Sequence, residues 1–275
     1  MSGSAPPIAP PVIATTGYGE YEIDIEEILR QGLPAFFASV APSPLTDANV
    51  NAIPARAKGA YMLLLDGHPV YAGKTDTRHG FRDRLGRHFF TVQHRIGLDP
   101  ARISFKAVRI FVFSSFDVEA LLIEETRRSD PTALKWNDSG FGSNDPGHNR
   151  EGQEPANFDK EFPVDIDRPL DLLAPGAAMT VHEALFHLKE GLPYLLRYET
   201  DLAANGKPSR HTVGHAEARA VSMTVPAAPV TARKVLQAAL DALPPGWQFT
   251  VFPDRLILYR EDKPYPHAQE ILRRA

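Results

Sequence analysis

The chain has 275 residues, a formal net charge of −4 and no cysteine. That length makes one large domain or two modest ones, and the missing cysteines exclude disulfides, thiolate metal sites and cysteine nucleophiles together. No apolar run approaches the roughly 18 residues needed to span a bilayer, and the N-terminus lacks the basic-then-apolar pattern of a signal peptide, so a cytoplasmic protein with no membrane partner is expected. The charge is unevenly placed. Residues 56–150 carry 15 Lys+Arg against 11 Asp+Glu, whereas the remainder carries 15 against 23. A nucleic-acid partner requires local positive charge, and the basic share lies in the first half.

Residues 1–16 are rich in Pro, Ala and Ser without periodicity, which predicts a disordered tail. Ile23, Ile25, Ile28 and Leu29 fall at helical spacing, predicting a short helix over 23–33. Residues 42–54 read as a connecting loop. Residues 60–65 read as a strand, Asp66-Gly67 as a tight turn and 70–72 as the returning strand of a hairpin. Phe81, Leu85, Phe89 and Val92 repeat at intervals of three and four, predicting a helix over 80–93. Residues 103–113 alternate as a long strand, and Asp117 is placed to cap a helix over 118–128. The order β-β-α-β-α makes a small layered α/β structure.

Gly, Asn, Asp and Pro dominate residues 140–147, and a polar stretch with prolines continues to Pro175. Beyond it, 181–190 and 231–243 read as helices, 194–198 and 218–225 as strands, and 249–252 with 256–259 as a hairpin around Pro253-Asp254. The division is therefore a tail over 1–16, a main domain over 17–175 and a smaller C-terminal α/β unit over 176–275.

The polar residues of the main domain suggest phosphate-ester chemistry. Tyr61 and Tyr71 are ten residues apart on the two hairpin strands, and Arg84 and His88 follow one turn apart on one helix. Phosphodiester hydrolysis needs an activated water, stabilised charge on the phosphate oxygens and help for the leaving oxygen. A phenol with a reference pKa of about 10 needs help to act as a base, and an imidazole near 6.5 is suited to give it. A guanidinium binds phosphate oxygens bidentately and stays charged, and Lys74 adds a second cation. Glu119, Glu124 and Glu125 are the carboxylates in reach of a metal, and Mg²⁺ often takes only one or two from the protein. Asn137 or Asn144 supports the site from the following loop. Each residue alone has a plainer reading, as a sheet tyrosine, a solvated helix face or a helix-dipole glutamate. Their order and spacing join them.

The pattern resembles the GIY-YIG nuclease superfamily. Its two name-giving tripeptides correspond to Gly59-Ala60-Tyr61 and Tyr71-Ala72-Gly73, and its further landmarks to Arg84 and His88, to Glu119 in Glu-Ala-Leu-Leu-Ile-Glu and to Asn137 in Trp-Asn. The segment Gly140-Phe141-Gly142-Ser143-Asn144-Asp145-Pro146-Gly147 resembles the type II restriction-endonuclease branch, as does a histidine after the arginine. The likeness covers roughly residues 45–165. It implies a small β-sheet flanked by helices, an α/β (α+β) fold, and a magnesium- or manganese-dependent endonuclease acting on DNA. It also implies a homodimer on DNA where both strands are cut. On this likeness Tyr61 activates the water and passes its proton to His88, Tyr71 and Arg84 hold the scissile phosphate, Glu119 binds the single metal and Asn137 supports the site, with Glu124 the rival ligand. The sequence departs from the pattern in the alanines of both tripeptides and in an insert near residues 127–135. A nuclease serving repair, element transfer or phage defence, with single-stranded substrates included, and a non-catalytic DNA-binding module are the alternatives.

Overall fold

A computed structural model describes residues 14–15, 17–19, 25–76, 78–110, 118–137, 141 and 151–274. Asp117 and Asn144, the expected cap and one of the two expected site asparagines, lie outside the described residues, as does all of the Gly-Phe-Gly segment except Phe141. So does most of the expected tail; within it Ala14–Thr15 (β1) pairs with Tyr18–Gly19 (β2). Helices and mostly antiparallel sheets mix, as expected of an α/β fold. Among the described residues no helix is long and apolar enough to cross a membrane.

The first helix, α1 (Ile25–Ser39), runs six residues past the predicted end and through Pro34. Proline is poorly tolerated inside a helix, but Leu33 and Phe37 on either side of it are buried against the sheet. The expected loop over 42–54 instead forms the two-residue strand β3 (Ser43–Pro44) and α2 (Asp47–Ala52). Thr46 caps α2 by accepting a hydrogen bond from the Asn49 amide at 3.2 Å.

The hairpin strands are β4 (Gly59–Leu65) and β5 (His68–Lys74), followed by α3 (Phe81–Thr91), β6 (Ile103–Arg109) and α4 (Val118–Ser129). They form a four-stranded antiparallel sheet in the order β3-β6-β4-β5. Strand alternation divides its faces. Ala60, Met62, Ala72 and Val108 pack with Leu121 and Leu122 of α4, and Tyr61, Leu63 and Phe105 pack with Phe81 and Leu85 of α3. The buried stripe of α3 is Phe81, Leu85 and His88, with Val92 just beyond; Phe89, expected in the stripe, is only half-buried.

The short helix α5 (Asn157–Glu161) leads to the C-terminal unit. There β7 (Ala178–Thr180), α6 (Val181–Gly191), β8 (Leu195–Tyr198), α7 (Ala216–Ala220), β9 (Ser222–Thr224), α8 (Ala232–Ala242), β10 (Gln248–Val251), β11 (Arg255–Tyr259) and β12 (Glu270–Arg273) follow. Its main sheet has the order β12-β10-β11-β8, with β8 parallel to β11. Val164, Ile166, Leu170 and Leu173 belong to this second core, although they precede the division drawn at residue 175. Residues 218–225 were expected to be a single strand. Ala218 instead lies in α7, because the His215 imidazole accepts the Glu217 amide at 3.2 Å and starts a helical turn. The two units meet through backbone bonds such as Asp165 N–H to His94 C=O at 2.8 Å, and through the rings of His94 and Tyr194, whose centroids are 6.4 Å apart.

Candidate active site

Glycines make the close approach of the two tyrosines possible. Tyr61 on β4 lies opposite Gly73 on β5, and Leu63 opposite Tyr71, so the tyrosines are diagonal neighbours on one face. Their ring centroids are 6.1 Å apart. A Cβ on Gly73 would come within 2.7 Å of the Tyr61 hydroxyl and 2.9 Å of the Tyr71 ring, so any larger residue would push the pair apart. Gly59 allows β4 and β6 to close, since a Cβ there would meet the Val108 carbonyl at 2.1 Å.

His88 completes the cluster from α3. Its Nε2 is 2.9 Å from the Tyr61 hydroxyl, and its ring centroid is 4.9 Å from that of Tyr71. Phe141 stacks on the imidazole at 4.9 Å with the planes 14° apart. Phe141 belongs to the segment that resembles the restriction-endonuclease branch, but nothing in its loop-type neighbours marks it as the ring that stacks on His88. Tyr61 and His88 are each 2% exposed. Burial followed by the nearby Tyr71 hydroxyl keeps the Tyr61 phenol protonated far above its ordinary range. Burial, then the charges of Arg84 and Arg87, pushes His88 down to about 3, so the imidazole is neutral. Its Nδ1 is buried and has no partner among the described residues.

Arg84 and Glu119 bring opposite charges to the same two phenols. The Arg84 guanidinium lowers both Tyr61 and Tyr71, and the Glu119 carboxylate raises both. Burial remains the larger cause, and Tyr71 too is held above its ordinary value. Arg84 stands in the first turn of α3, one turn before His88, and Glu119 in the first turn of α4. Glu124, the rival carboxylate, faces elsewhere: it pairs with Arg30 of α1 at 2.7 Å and with Arg128 at 2.9 Å. Five residues of helix rotate it about 140° away from Glu119. Glu125 is likewise held by Arg30 and Arg128, at 3.1 and 2.7 Å.

Asn137 acts on backbone. Its Oδ1 accepts the Ala72 amide at 2.8 Å and its Nδ2 donates to the Ala72 carbonyl at 2.7 Å. The side-chain amide thus pairs with an edge strand as another peptide group would. The Trp136 amide donates to Val70 and the Leu134 amide to Pro69, so residues 134–137 run along the free edge of β5. Asn137 thereby supports the strand between Tyr71 and Gly73 without entering the cluster. Lys74 is exposed and follows Gly73 on β5 opposite Ala60, so alternation places it on the α4 side of the sheet rather than the tyrosine face.

The donor set bears on a metal. Among the described residues no group of three or more acidic or imidazole side chains could form a protein cage. One carboxylate beside phosphate-binding groups suits a hard cation that completes its shell with water and phosphate oxygens, and Glu119 is the acid whose charge reaches both phenols. No protein-family model matches the chain, and no curated protein matches it either.

Proposed function

We propose that the chain is a metal-dependent endodeoxyribonuclease, of the restriction type that its sequence resembles, hydrolysing phosphodiester bonds in DNA. The observation that carries this reading is the 2.9 Å contact between Tyr61 and His88, with Tyr71 beside it and the charges of Arg84 and Glu119 acting on both phenols.

In the resting site both members of the Tyr61–His88 pair are neutral, and burial opposes moving a proton between them. A bound phosphate brings negative charge that raises the imidazole. Mg²⁺ or Mn²⁺ held by Glu119 would supply positive charge that polarises water and phosphate oxygens and offsets the carboxylate's effect on the phenols. Tyr61 then takes a proton from the attacking water while its own passes to His88 Nε2. The water oxygen bonds to phosphorus, and the bond to the leaving sugar oxygen breaks as that oxygen gains a proton from solvent. Tyr71 and Arg84 hold the non-bridging oxygens, where a planar guanidinium offers paired donors. One such site cuts one strand, so a double-strand cut of a symmetric sequence calls for two copies related by a two-fold axis.

The test is a cleavage assay with purified protein, plasmid and defined linear DNA in Mg²⁺ or Mn²⁺, with mapped ends. Discrete products that disappear in Tyr61→Phe and Glu119→Gln are expected. A smear would argue against sequence-specific restriction, and preference for single strands against a duplex substrate. An intact substrate in every metal would rule out the nuclease reading.

A further inference from the structure

We propose that Asp76 is a positioning residue, a carboxylate anchored by backbone that holds the Arg84 guanidinium at the phosphate subsite; this rests on the nuclease reading above. Asp76 lies in the loop between β5 and α3 and has no place in the chemistry described so far.

The backbone determines where this carboxylate sits. Asp76 Oδ1 accepts the amides of Arg78 at 2.7 Å and His79 at 2.6 Å, and the Asp76 amide donates to the His79 carbonyl at 3.2 Å. His79 Nδ1 stands 3.0 Å from Oδ2. Oδ2 also receives Arg84 Nη2 at 2.6 Å. Hydrogen bonds from the His79 backbone and side chain hold the carboxyl well below its usual range, so it is an anion throughout the neutral region.

Arg84 is the member of the site most in need of such a hold. Its side chain is long, 28% exposed and free to swing outward without an anchor. Its charge nevertheless acts on Tyr61, Tyr71 and His88, and its backbone lies on α3 one turn before His88. Arg84 Nε is buried and has no hydrogen-bond partner among the described residues. Unpaired buried N–H groups are rare because the lost hydration is not recovered. With Asp76 on Nη2, the open Nε–H is a donor set for a ligand oxygen, and a phosphate beside Tyr71 would supply one. Asp76 therefore pays the ordering entropy of Arg84 before substrate arrives.

The experiment compares wild type, Asp76→Asn, Arg84→Ala and the double variant in single-turnover and steady-state cleavage, with thermal melting as a check on folding. Asparagine keeps an oxygen for the two loop amides but loses the acceptor for Arg84. Asp76→Asn is expected to lower kcat about 10–100-fold, as a displaced catalytic group does, with KM within about threefold. In the Arg84→Ala background it should add nothing. The Arg84 Nε–H signal in a ¹⁵N spectrum, which requires no turnover, should be resolved in wild type and broadened by exchange in Asp76→Asn. If asparagine unfolds the loop, Asp76→Ser, which keeps a capping oxygen, carries the same comparison. A wild-type rate in Asp76→Asn, an equal further loss in the Arg84→Ala background, or an unchanged Nε–H signal would each overturn the assignment while leaving the nuclease reading intact. Failure of wild type to cut DNA in any metal overturns both.

Discussion

Helices α3 and α8 bury stripes at the same three-and-four spacing but line them differently. The stripe of α8 is Ala232, Val235, Leu236, Ala239 and Leu240, all packed into one apolar core. The stripe of α3 begins with Phe81 and Leu85 and continues with His88, which meets a phenol instead of a methyl group. Beside α8, buried Gln248 is satisfied: it bonds Thr250 Oγ1 at 2.9 Å and both backbone groups of Lys263 at 3.0 Å, although elsewhere in the same unit His182 Nδ1, the Tyr194 hydroxyl and Asp254 Oδ1 are buried without partners among the described residues. Near α3, His88 Nδ1 and Arg84 Nε are buried without partners among the described residues. One region spends its burial on stability. The other gives part of it up to hold a neutral imidazole and a charged guanidinium, each with one buried nitrogen that has no partner among the described residues, the kind of local inconsistency expected at functional sites.

Substitutions on the two helices' partners should separate these roles. Tyr61→Phe removes one hydroxyl and should slow cleavage about 10²–10⁴-fold, the usual contribution of a positioned acid–base group, while leaving buried His88 Nε2 without its partner costs only roughly 1–3 kcal/mol of stability. Leu236→Ala in the fully buried stripe should do the reverse, costing about 2–5 kcal/mol by denaturant unfolding while the folded fraction keeps its specific activity. Comparable activity losses in the two would erase the distinction.

Asn137→Ala tests whether the site's edge strand is held by a side chain. It strips partners from both backbone groups of buried Ala72, and each group left unsatisfied costs roughly 1–3 kcal/mol. Faster hydrogen exchange at Ala72 together with lost stability is expected, and an unchanged unfolding midpoint would refute the clamp.

Acid titration should distinguish the regions further. His88 is depressed to about 3 in the folded chain against an ordinary value of 6.5. Between those values the unfolded chain binds the extra proton, so stability rises with pH across that window and is fully present above it. The slope from this residue is at most about 1.4 kcal/mol per pH unit. Unfolding curves of wild type and His88→Gln between pH 4 and 7 should diverge by that dependence; parallel curves would mean the imidazole titrates normally. The smallest effect belongs to Glu124→Gln. Its partners Arg30 and Arg128 lie at a half-exposed surface, where solvent screening leaves such pairs little effect on stability, and cleavage should stay at the wild-type rate. A loss like that of Glu119→Gln would reverse the assignment of the two carboxylates.

Much of this arrangement was legible in the chain. The Asp66-Gly67 turn and the flanking apolar runs determine the hairpin, because short-range twist and side-chain alternation decide it locally. One turn between Arg84 and His88 places that pair on a common helix face, but the two-residue turn alone would put Tyr61 and Tyr71 on opposite faces of the hairpin, and it is the register shift between Leu63 and Leu64 that brings them to one. Tertiary structure alone decided the rest. His88 rather than Phe89 faces the core, because the sheet and Phe141 decide which side of α3 is covered. Glu124 is turned to Arg30, which comes from a helix almost a hundred residues earlier, and the carboxylate whose charge acts on the phenols is Glu119. Asn137 pairs with Ala72, and Asp76 with Arg84, through bonds whose partners depend on where loops and strand edges come to rest. Local periodicity carries no record of such distant pairings, since their energy exists only once the chain has closed on itself.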